Sequence, residues 1–124
     1  MWITPLKPTN LKILSNHHQE QPIVELDIDG KMHRLLVADH PYAWQQGLMH
    51  YRELTQADGM LFIFPVKDYH SFWNQNTFMD LDIYWVADHT IVGTAFLPSI
   101  EKTGKVVSVA SPEPVEWVIE VVRK

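Results

Sequence analysis

The sequence predicts one mainly β domain, at the margin of the α+β class: a small antiparallel barrel or sandwich of about seven or eight short strands with one helix packed on it. Three observations carry this reading. Apolar residues alternate with polar ones at period two, as Val24, Leu26 and Ile28 do against Glu25, Asp27 and Asp29. Turn signals recur at short intervals, among them Asp29-Gly30, Asp58-Gly59, Asp88-His89 and Thr103-Gly104-Lys105. Only the segment opened by Pro41 reads as a helix.

Each element follows from local chemistry. Residues 1–21, rich in Pro, Asn, His and Gln, read as an extension in which Leu11, Ile13 and Leu14 could form a short edge strand. The domain proper then spans residues 22–124. Ile23 to Ile28 is a half-buried strand, and Asp29-Gly30 supplies the two positive-φ positions of a tight hairpin turn into Met32–Ala38. Asp39 or His40 caps a helix that has Pro41 in its first turn, and Gly47 ends or bends it, with Leu48 and Met49 turned inward. Met60 to Phe64 is apolar on both faces, which predicts a central strand stopped by Pro65. Shorter strands follow at Phe72–Asn74, Asp82–Ala87, Ile91–Phe96, Val106–Ala110 and Trp117–Val122.

Composition excludes several function classes. With 124 residues the chain can build one core, and 46% hydrophobic with 20% charged residues is a folding composition. A net charge of −5 without a Lys/Arg stripe argues against nucleic acid. The absence of cysteine removes disulfides, thiolate zinc sites and a Cys nucleophile. No apolar run reaches the roughly 18 residues a bilayer-spanning helix needs, so no membrane insertion is expected. As written, the start lacks a basic segment followed by an apolar block, which predicts a cytoplasmic chain; a leader removed earlier would leave no trace.

The segment from Phe72 to Asp82 concentrates the candidate chemistry. Trp73 beside Asn74, Gln75 and Asn76 suits a ligand with apolar C–H faces and hydroxyls, as a saccharide has, although a Trp is more often core. Asn76-Thr77 is also a turn-forming pair whose side chains can cap nearby backbone. Asp80 and Asp82 would share a strand face as a possible acid–base pair, or Asp82 would simply cap backbone amides. Arg52 can grip a ligand carboxylate or, the favoured reading, clamp a neighbouring loop by pairing with an Asp. The seven histidines show neither the helical nor the strand spacing of a metal site; no metal and no cofactor are expected. There is no phosphate loop and no serine-nucleophile elbow.

The run Gly47-Leu48-Met49, Leu54, Gly59-Met60-Leu61-Phe62-Ile63-Phe64, then Phe72-Trp73, Asn76-Thr77 and Leu81-Asp82-Ile83, resembles an uncharacterised prokaryotic family, domain of unknown function 192. The tail Ser111-Pro112, Pro114 and Trp117-Val118-Ile119-Glu120-Val121 is similar to that family's closing strand. The resemblance covers residues 23–122 and implies a compact β-rich domain, often exported, with no established activity, cofactor or substrate. The chain departs from the family at Tyr51, Asn74, Gln75 and Asp80, where Arg, Met, Lys and Pro are usual, and lacks the usual terminal Gly. The resemblance therefore implies a less basic site than in relatives, poorly suited to an anion. The leading expectation is a non-enzymatic module that binds a small polar ligand through Trp73, Asn76, Thr77, Asp82 and Arg52. The alternatives are a hydrolase-like enzyme with Asp82 as base and Asn76 or Thr77 polarising the substrate, or a protein-interaction domain.

Overall fold

The computed structural model describes residues 12–13 and 21–124. Its strands and helices are β1 (Lys12–Ile13), β2 (Pro22–Ile28), β3 (Lys31–Ala38), α1 (Pro41–Gln46), β4 (Gly59–Asp68), β5 (Ser71–Trp73), β6 (Leu81–Ala87), β7 (Thr90–Leu97), α2 (Ile100–Thr103), β8 (Ser108–Ala110) and β9 (Val115–Val122). The main sheet runs β1-β2-β3-β4-β9-β6-β7, and β5 and β8 form a separate two-stranded ribbon.

The fold is mainly β, as expected, with two differences of architecture. The sheet is not a closed barrel, and it is mixed rather than antiparallel, because β3 and β4 run parallel. The parallel pair has a simple origin: α1 and the loop after it carry the chain back to the starting end of the sheet, a crossover no hairpin can make. A second helix, α2, occupies the expected turn around Thr103; Ser99 caps it by accepting from the Lys102 amide, and left-handed Gly104 ends it. Of the extension, Lys12–Ile13 pairs with Pro22–Ile23 as an edge strand, while the rest of residues 1–20 lies outside the described residues.

The turns behave as their residues dictate. Asp29 and Gly30 both have positive φ (56° and 83°), and so do Asp88 and His89 (51° and 62°). Each pair matches the right-handed twist of the strands it joins. Pro65 does not end β4, but pairing with β9 breaks between Ile63 and Asp68, around the missing amide.

Strand alternation divides the core between two faces. One face carries Leu36, Met60, Phe62, Leu81, Ile83, Trp85 and Val118, and the other Val24, Leu26, Leu35, Leu61, Val86 and Ile119. The ribbon sits on the first face through Phe72, whose ring meets Phe62 edge-on at 4.8 Å and Trp85 at 5.9 Å. Helix α1 is fastened at the same end by the Trp44 indole, which donates to both the Ala38 and Ile63 carbonyls at 3.1 Å.

Candidate functional site

Helix α1, its following loop, the end of β4 and the β5 segment enclose a cavity of about 580 Å³ on the first face of the sheet. That volume is in the range of small-molecule sites. Aromatic rings of Trp44, Phe62, Phe64, Phe72 and Trp73 form much of its wall, with the amides Gln45, Gln46, Gln75 and Asn76 between them. Among the described residues Lys and Arg do not contribute to the wall.

Glu120 also lines this cavity. It stands in β9 opposite Met60 of β4 and Ile83 of β6, two fully buried residues, so its parity is that of the core. The residue is 4% exposed, and among the described residues its carboxyl has neither a hydrogen bond nor an ion pair. Burial alone drives its pKa up to about 8. Near neutral pH it is a carboxylic acid, able both to donate and to accept.

Two glycines make room for this arrangement. A β-carbon at Gly59 would overlap the Glu120 carbonyl, because β4 passes β9 at close range there. A β-carbon at Gly47 would stand 3.9 Å from Glu120 Oε1 and 3.3 Å from Phe62 Cζ, and Gly47 itself has φ +49°. The turn that ends α1 is thus laid directly over the acid.

His70 is a second polar group of the wall. Its ring stacks on Phe64 with centroids 3.7 Å apart, and its Nε2 is buried without a partner among the described residues. Burial lowers its pKa, against smaller raising effects of Asp68 and a backbone hydrogen bond with Val115. Its imidazole is therefore held toward the neutral form.

The five residues singled out from sequence do not converge. Trp73, Asn76 and Thr77 line the cavity. Trp73 is half exposed at its edge rather than in the core. Asn76 has left-handed φ (56°), and its carbonyl accepts the His50 amide at 2.8 Å. Thr77 is buried: its hydroxyl donates to the Gln75 carbonyl at 3.3 Å and its carbonyl accepts the Ile100 amide at 2.9 Å. Both residues shape the loop and reach the cavity at once.

Asp82 and Arg52 lie elsewhere. Asp82 alternates with core residues Leu81 and Ile83, so it sits on the opposite face of the sheet from Glu120. There it accepts from Arg123 Nη2 at 2.6 Å and Nε at 3.2 Å. Arg52 donates to both carboxylate oxygens of Glu101 at 3.2 Å and covers the Phe78 ring at 4.3 Å. It clamps α2 to the loop after α1, as the favoured reading has it, but through a Glu rather than an Asp.

Two departures from the family pattern serve the α2 segment. Asn74 is fully buried; its amide donates to the Pro98 and Lys105 carbonyls and to Thr103 Oγ1, and its oxygen accepts the Val107 amide at 2.8 Å. Asp80 accepts the Ser99 amide at 2.8 Å and pairs with Lys102 at 3.4 Å. The candidate acid–base pair is therefore split, each carboxylate held by a different cation. Among the described residues no three His, Asp or Glu side chains come together as a metal site would require.

The comparisons agree with this architecture. The model of the family described as DUF192, uncharacterized ACR, matches residues 24–124. A crystal structure of a candidate transcription regulator from Sinorhizobium meliloti 1021 is similar at 31% identity and a TM-score of 0.62, over 81% of this chain and 78% of that one. A crystal structure of a protein of unknown function from Novosphingobium aromaticivorans DSM 12444 shares the fold, with a TM-score of 0.71 at 23% identity over 89% and 80% of the two chains. No curated protein matches. The family match spans most of the chain and all the strands that frame the cavity, and the protein belongs to the DUF192 family.

Proposed function

We propose that this domain is a non-enzymatic binding module whose small polar ligand enters the cavity over Glu120. The observation that carries this is Glu120, 4% exposed and without a partner among the described residues, lining a cavity of ligand size. His70 Nε2, on the same wall, is buried without a partner among the described residues, and an unpaired group of that kind costs about 1–3 kcal/mol, which a partner supplied from outside would relieve. The aromatic wall supports the same reading, since rings provide contact area and amides fix orientation. Asp82 is not part of this proposal, because its carboxylate is committed to Arg123 on the other face. The regulator description of the Sinorhizobium protein is not carried over, since a net charge of −5 suits a phosphate backbone poorly.

A thermal-shift scan over sugars, amines, nucleotides and carboxylates tests the proposal. A ligand at a hundredfold excess over its dissociation constant adds about 2.7 kcal/mol to stability. The stabilisation should shrink in Trp73→Ala, whose half-exposed ring is a wall of the cavity and little of the core. A scan in which no class of compound stabilises the protein contradicts the proposal.

A further inference from the structure

We infer that the cavity ligand is a small organic cation, its ammonium group set against the Glu120 carboxylate and its alkyl groups against the aromatic wall. This rests on the reading of the cavity as a ligand site and names the class of ligand. Three features of the cavity select that class. Among the described residues the one acidic side chain on its wall, Glu120, is almost wholly buried and has no cationic partner. Five aromatic residues among the described ones also line the wall, and aromatic rings attract cations. Among the described residues neither Lys nor Arg reaches the wall, so an anion or the phosphate of a lipid headgroup finds no counter-charge from them.

Binding must then be coupled to a proton. The acid is protonated near neutrality, and the arriving cation favours its ionised form, so one proton passes to the buffer for each cation bound. Other groups around Glu120 are few. Its cross-strand neighbours Met60 and Ile83 do not titrate, nor do Trp44, Gln46 and Gly47 from α1 and its loop. Among the described residues His70, from the β4–β5 turn, is the other titratable group on the wall; burial keeps it toward neutral, and its own protonation would further oppose a cation at low pH.

Calorimetry with the full chain tests this. The probes are choline and n-butylamine, each against its uncharged counterpart, 3,3-dimethylbutan-1-ol and butan-1-ol, with phosphocholine as the headgroup control. At least one amine should bind at least about tenfold tighter than its counterpart, and choline should bind tighter than phosphocholine. Affinity should rise by up to about tenfold per pH unit between roughly pH 6.5 and 8 and then level off, with about one proton released per cation near pH 7 in buffers of different ionisation enthalpy. Glu120→Gln should fold, because the acid it replaces is already neutral, and should lose both the amine affinity and the proton release. Binding of the alcohols or of sugars without the amines overturns the cation inference and leaves the ligand site standing. Amine binding that persists in Glu120→Gln, or that releases no proton, overturns the cation inference too. If nothing in the panel binds, the cation inference fails, and the ligand-site reading fails with it only if the thermal-shift scan over sugars, nucleotides and carboxylates is also empty.

Discussion

Gly47 lies over Glu120: a β-carbon added to it would stand 3.9 Å from the carboxyl Oε1 and 3.3 Å from Phe62 Cζ. A helix terminator is therefore also a wall of the cavity, and one residue serves the fold and the site together. Gly47→Ala would force a side chain into positive φ and crowd Phe62. It should cost about 1–3 kcal/mol in urea unfolding. Gly59→Ala, which sets a β-carbon against the Glu120 backbone, should cost more and leave little folded protein.

Glu120 should make stability fall as pH rises. Its ordinary value is 4.5 and its folded value about 8. Between these the folded chain holds a proton that the unfolded chain has released. The contribution is complete below about pH 4.5 and is lost as pH climbs through 8, up to about 3–5 kcal/mol in all. Unfolding midpoints measured across that interval should decline more steeply in the wild type than in Glu120→Gln, which has nothing to ionise. Parallel declines would show that the acid is not buried as described.

Asn74 should prove to be a structural residue. Its four bonds tie the ribbon to the segment from Pro98 to Val107. Asn74→Ala strands several buried groups at once and should cost about 3 kcal/mol or more, read as a large drop in Tm.

Asp82→Asn should be mild. The pair with Arg123 is about one-third exposed on the carboxylate side and half exposed on the guanidinium. Its loss should cost about 0–1 kcal/mol and shrink further at high salt. Ligand binding in the Glu120 cavity should be unchanged, because Asp82 is on the other face of the sheet. A large loss of binding would return Asp82 to the site.

Much of the fold is legible in the residues themselves. The Asp29-Gly30 and Asp88-His89 turns, the His40-Pro41 helix start and the alternation around Leu81, Ile83 and Trp85 each act locally, so each can be read locally. The parallel β3–β4 pair and α2 are not local. The first depends on where a long crossover delivers the chain, and the second is four residues that Asn74 and Asp80 hold from a distance.

The site was half legible for a similar reason. Trp73, Asn76 and Thr77 stand out because polar groups beside aromatics are unusual in sequence. Glu120 hides in an apolar closing strand, yet it carried a signal. Val118, Glu120 and Val122 share one parity, so the acid occupies a core-facing position in a strand with Val118 fully buried. Asp82 misleads because its neighbours are core residues while its own parity points away from them.

The most direct test is a titration of the Glu120 carboxyl by ¹³C NMR, with and without choline. The account predicts a midpoint near 8 in the free protein that moves down when choline is added. A midpoint in the ordinary carboxylate range, unmoved by choline, would contradict it.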